Sequence, residues 1–141
     1  MFISLFFYLY LGLISFSDLK SEIIPNIFVY SLFLTAFCLK ISDDFSSLPV
    51  SIAAAVVIAL FLFAVRYFTK GLGLGDVKLL FVTTFCTGFL KSIFAIIVSC
   101  LAGTIVFILL KAFKKRVLRI PYAPFITLGY LSVDLFGKKF I

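Results

Sequence analysis

The sequence predicts an all-α membrane protein of about six transmembrane helices, with both termini on the outer side. Three observations predict it. Hydrophobic residues make up 64% of the chain and charged residues 13%, where soluble domains run at roughly 45–50% apolar, and the mean hydropathy is +1.28. Six apolar runs separated by short polar breaks divide the 141 residues. At about 20 residues per crossing, six spans use nearly the whole length and leave one membrane domain over residues 1–141. Finally, Lys and Arg fall unevenly about those runs, and the richer side is the inner one.

Residues 1–17 are uncharged and are closed by Asp18 and Lys20. A secretory signal would place basic residues before its apolar run and a small-residue cleavage site after it, so the run reads as span 1, with its N-terminus outside. In DLKSEIIPN, Pro25 suits the first turn of a helix, where its missing N–H leaves no bond unmade, and span 2 follows over about 24–41. The acidic segment SDDFSS, 42–47, reads as an outer loop. Span 3 covers about 48–68, and Ala53, Ala54 and Ala55 offer a small surface for close helix contact. After RYFTKGLGLGDVK comes span 4, about 76–90, short enough to require tilt or local thinning of the bilayer. Lys91 and Ser92 are expected to form a tight outer turn before span 5, about 93–110. The most basic stretch, KAFKKRVLR at 111–119, precedes span 6, about 121–137. The inner side then holds Lys20, Arg66, Lys70, Lys78, Lys111, Lys114, Lys115, Arg116 and Arg119, and the outer side Lys40, Lys91, Lys138 and Lys139. The net charge of +7 is on this reading a topology signal and an attraction to anionic lipid headgroups. With no soluble face to hold a duplex, nucleic acid is not an expected partner.

The chain has no histidine. That removes Ser-His and Cys-His nucleophile pairs and the His-based zinc and haem ligand sets. Cys38, Cys86 and Cys100 lie in apolar runs without CxxC spacing and read as buried small hydrophobes. No metal and no cofactor is expected. Acid–base chemistry would have to come from Asp18, Glu22, Asp43, Asp44, Asp76 and Asp134, the six acids of the chain.

The stretch from Lys70 to Leu80, KGLGLGDVKLL, stands out. Gly71, Gly73 and Gly75 can enter positive φ and let another chain approach closely, and their alternation with leucine offers open backbone groups to an extended peptide. Asp76 stands where the next helix begins. It is either an N-cap, well placed against the positive end of the helix dipole, or a reagent, since ionisable groups at membrane depth are functional candidates. Asp18 has the same two readings. Span topology puts both, with Glu22, on the inner face. Two carboxylates confined together cannot both ionise easily, so the pair holds one proton. Such a pair activates water without metal or histidine: one member takes a proton as water attacks a carbonyl, and the other donates.

These residues resemble a known family. GLGD at Gly73–Asp76 matches the GxGD signature of intramembrane aspartyl proteases, and the ordered set is similar to the prepilin peptidases: Asp18 followed by Ile24-Pro25-Asn26, then GLGDVKL from Gly73 to Leu79, then Pro121-Tyr122-Ala123-Pro124 after a basic loop. The resemblance implies a peptidase that removes a short basic leader from type IV pilin-like precursors. It implies cleavage after a glycine, on the cytoplasmic side of the inner membrane, with Asp18 and Asp76 in the two catalytic positions. Many bacterial members carry an extra cytoplasmic segment with paired CxxC motifs and also N-methylate the trimmed pilin. That segment has no counterpart here, so methyltransferase activity is expected to be absent. The chain is similar to the short peptidases of tight-adherence pilus systems and to archaeal preflagellin peptidases.

Further expectations attach to single residues. Glu22, one turn from Asp18, binds the basic leader or is solvated. Lys78 acts on Asp76 or marks the membrane interface. Gly73 and Gly75 let a substrate segment lie extended beside Asp76. Pro121 and Pro124 break and tilt span 6, and Asp134 is a solvated anchor. Two other readings compete. A transport or assembly component would line up carboxylates along a conduit, whereas the mid-span positions read as apolar. A presenilin-type protease shares GxGD but has more spans. The sequence is silent on oligomeric state.

Overall fold

In a computed structural model the described residues are 2–21, 24–43, 45–69, 73–113 and 121–137, and they are helical almost throughout. The order is α1 (Phe2–Ser21), α2 (Asn26–Asp43), a single 3-10 turn (Phe45–Ser47), α3 (Leu48–Thr69), α4 (Leu74–Thr87), α5 (Phe89–Ala112) and α6 (Ala123–Gly137). The six apolar runs thus become six helices. Two segments, 45–68 and 89–112, are long and apolar enough to cross a bilayer, and 26–42 and 123–136 form shorter apolar helices.

The shortest helix is the hub. Half of the 14 residues of α4 are buried, and α4 packs against α2, α3 and α5. Leu79 and Leu80 join Leu11 and Ile14 of α1 and Ile126 of α6 in the main core. A second cluster forms where Phe85 meets Ala36, Leu48 and Ala55, with the Phe33 ring tilted against Phe85 at 5.2 Å between centroids. Of the three alanines expected to make a contact surface, only Ala55 is buried. Successive helical residues point about 100° apart and cannot share one face.

α1 and α6 run antiparallel along a polar seam. Phe7 meets Tyr130 edge-on at 5.5 Å, the Ser15 and Thr127 hydroxyls lie 2.6 Å apart, and the Ala123 N–H donates to Asp18 Oδ2 at 3.0 Å. α5 and α6 approach closely through small residues. A Cβ at Gly129 would collide with the Ala95 carbonyl and the Ser99 hydroxyl, the small-to-small contact that lets apolar helices gain dispersion energy. The outer surface is the reverse of a soluble protein's: Phe16, Ile27, Val50, Leu60, Leu101 and Leu135 are all exposed, far more apolar surface than water tolerates.

Several expectations are corrected. The turn between α4 and α5 falls at Gly88, not at Lys91-Ser92. Gly88 takes φ 91°, a left-handed value that favours glycine, and its N–H closes α4 on the Thr84 carbonyl at 2.8 Å. Lys91 and Ser92 lie inside the first turn of α5. SDDFSS is largely helix end and 3-10 turn, since α2 runs on to Asp43. Cys38 and Cys100 are exposed and Cys86 is half-buried; on an apolar surface an outward thiol has no polar penalty to avoid. Mid-helix positions are not uniformly apolar: the Tyr130 hydroxyl bridges Thr83 at 3.0 Å and Ser92 at 2.9 Å, a neutral network with no carboxylate in it. Asp134 does not stand alone in solvent. It pairs with Lys91 at 3.2 Å and accepts the Tyr8 hydroxyl, joining α1, α5 and α6.

Candidate active site

The site grows from the ends of three helices. On α1 the inward stripe is Leu11, Ile14, Ser15 and Asp18, all buried, at the spacing that puts residues on one helical face. The stripe that fills the core therefore ends in a carboxylate, and Asp18 is 5% exposed. Burying a carboxylate requires a partner, and the Ala123 N–H at the start of α6 supplies one.

On α4 the first turn carries Asp76. Gly73 is the N-cap, with an ordinary extended backbone at φ −69° and ψ 146°, and its N–H donates to Asp76 Oδ2 at 3.2 Å. Glycine has no side chain to return that bond, so this is half of a capping box. Neither Gly73 nor Gly75 has positive φ; among the described residues Gly88 alone does. These two glycines are needed for space. A Cβ on Gly73 would lie 2.8 Å from Asp76 Oδ2, and one on Gly75 would lie 3.2 Å from Ile24 Cβ.

Gly75 thereby admits the Ile24-Pro25-Asn26 step to α4. Pro25 opens α2, its carbonyl accepting the Phe28 N–H at 3.2 Å, and Lys78 Nζ donates to Asn26 Oδ1 at 3.3 Å. The third segment closes the group. Asp76 lies within electrostatic reach of Asp18 and of the Tyr122 hydroxyl, which is also 3.1 Å from Cys100 Sγ. The described residues of three stretches far apart in sequence, 18–21 with 24–26, 73–79 and 121–124, thus meet at one end of the bundle. The Lys91–Asp134 pair is at the other end.

The cap and reagent readings turn out not to exclude each other. Asp76 caps its own helix, and Asp18 caps a different one, α6. Sequence reasoning missed the second bond. Pro121 and Pro124 read as helix breakers, and the buried N–H between them carries no mark of its own in the sequence. The one available signal is general: a helix start after a turn must satisfy its first N–H groups. Glu22, Lys70, Gly71, the basic residues 114–119, Lys138 and Lys139 lie outside the described residues, as does Asp44. Among the described residues, no three Cys, Asp or Glu side chains group as a metal-ligand set would.

No curated protein and no solved structure matches the chain. A family model does: that of the type IV leader peptidases, over residues 5–108, which include Asp18, the Ile-Pro-Asn step and GLGDVKL.

Proposed function

The chain belongs to the type IV leader peptidase family, and from that premise we propose that it is an intramembrane aspartyl endopeptidase working through an Asp18–Asp76 dyad. One observation carries the reading: Asp18, at the end of α1 and bonded to the start of α6, and Asp76, in the first turn of α4, stand 58 residues apart in sequence yet within electrostatic reach of each other. Like charges at close range favour one shared proton. Water between them gives a proton to the ionised carboxylate as its oxygen attacks the scissile carbonyl carbon, and the protonated carboxyl donates to the carbonyl oxygen. Transfer of a proton to the amide nitrogen then lets the C–N bond break.

The substrate is a type IV pilin-like precursor with a short basic leader, cut after a glycine at the cytoplasmic face of the inner membrane. The chain crosses that membrane six times with both termini outside, and its basic inner loops hold anionic lipid. Lys20 and Lys78 lie at the dyad end, whereas Lys40 bonds Ser51 at 2.5 Å and Lys91 bonds Asp134 at the far end, a segregation that supports this orientation. Glu22, Gly73, Gly75 and Lys78 are the residues assigned to binding the leader. Methylation of the new N-terminus is not among the activities proposed.

The test is direct. The purified chain in detergent, incubated with a pilin-like precursor, is expected to shift it to a smaller product whose N-terminus follows the leader glycine. A precursor with Ala-to-bulky changes elsewhere in the leader should still be cut, whereas loss of that glycine should block cutting. An unshifted precursor under conditions where the chain stays folded would sink the proposal.

A further inference from the structure

The dyad rests on a bond that the family match does not reach. Residues 121–124 follow the matched stretch, which ends at 108. In this segment the Ala123 N–H is the first of α6, and Ala123 is 0% exposed. The Tyr122 carbonyl accepts the Phe125 and Ile126 N–H groups at 3.0 and 3.2 Å, so the next turn is satisfied within the helix. The Ala123 N–H has no such partner and no access to water. Asp18 Oδ2 is its acceptor, at 3.0 Å. A charge-assisted bond between two buried groups is short of alternatives and strongly directional.

The bond also closes a register. Along the antiparallel α1–α6 seam, Phe7 meets Tyr130, Ser15 meets Thr127 and Asp18 meets Ala123. As α1 advances, its partners step back along α6 by about one turn at a time. The Asp18 carboxylate is thus pinned at one oxygen by a helix whose position is set elsewhere. The same carboxylate is within electrostatic reach of Asp76, as is Tyr122 beside Ala123, a tyrosine held in turn by Cys100 and Gly103 of α5.

We propose that the N-terminus of α6, through the Ala123 N–H, is the positioning element that aims Asp18 at Asp76. This rests on the dyad reading of the site. Ala123 touches no reacting atom; it acts through Asp18.

The experiment uses the full chain and the same pilin-like precursor. Ala123→Pro removes the N–H, and proline is well suited to the first helical position, while Ala123→Gly keeps the N–H. Ala123→Pro is expected to lower kcat by about 10- to 100-fold, the cost of a misplaced catalytic group, with KM within about twofold of wild type. Ala123→Gly should hold kcat within about threefold. Wild-type kcat in Ala123→Pro, or a loss carried by KM alone, overturns the inference. If Ala123→Pro does not fold, amide exchange decides. The Ala123 N–H is expected to exchange at least about tenfold more slowly in wild type than in Asp18→Ala, and equal rates overturn the inference. A wild-type chain that cuts no precursor, or an Asp18→Asn variant that cuts normally, removes the dyad itself. A normal dyad with an unaffected Ala123→Pro removes only this inference.

Discussion

On the proposed mechanism, one carbon atom at position 73 separates a working carboxylate from a displaced one. A Cβ there would stand 2.8 Å from Asp76 Oδ2, closer than any methyl and oxygen settle. Gly73→Ala is therefore predicted to push the Asp76 side chain aside and lower the cleavage rate by about tenfold or more, with membrane insertion unchanged; initial rates on a precursor check it. Gly75→Ala meets Ile24 at 3.2 Å instead and should cost about 1 kcal/mol of stability as overpacking, read as a lower unfolding temperature in detergent. The two glycines thus separate, one bordering the Asp76 carboxylate and the other the packing of α2 on α4. Their presence was legible in the sequence, but their reason was not. Alternating Gly and Leu suggests unusual dihedrals, yet Gly73 sits in an extended conformation that any residue adopts. Crowding by residues close in space leaves no trace in local sequence.

At the scale of the helix, apolar run length predicted each element to within a few residues, because a chain in an apolar setting must satisfy its backbone internally. The α4–α5 junction escaped that logic. Lys91-Ser92 is the most polar step there, but the chain turns at Gly88, where a positive φ was needed, and the polar pair joins α5. Lys91 then reaches Asp134 and Ser92 reaches Tyr130, uses that polarity alone does not reveal. Two helix-level predictions follow from the packing. Gly129→Val forces α6 away from Ala95 and Ser99 and is expected to destabilise the bundle by about 1–3 kcal/mol or more, seen by thermal unfolding in detergent. Tyr130→Phe removes one buried hydroxyl bridge and should cost only about 0.6 kcal/mol, the usual worth of an interhelical bond in an apolar medium. Equal losses in the two variants would contradict the account.

For the whole molecule, the fold brings 18–21, 24–26, 73–79 and 121–124 to one end, and residue order alone anticipated that meeting only through resemblance to a family. Charge counting assigns that end to the inner face, an expectation that labelling tests. It could not supply the bond from α6 to Asp18, which depends on how α1 and α6 lie side by side. The orientation is checkable in a version lacking the native cysteines: Lys40→Cys and Lys91→Cys should react with a membrane-impermeant maleimide added outside intact cells, and Lys20→Cys and Lys78→Cys should not. The reverse pattern would invert the topology and move the site to the other face. The central claim concerns the two carboxylates, and it is tested most directly by timed cleavage of a pilin-like precursor with Asp18→Asn and Asp76→Asn. Each variant is predicted to insert and fold as the wild type does while cutting no detectable precursor, and near-normal cleavage by either one would contradict the dyad.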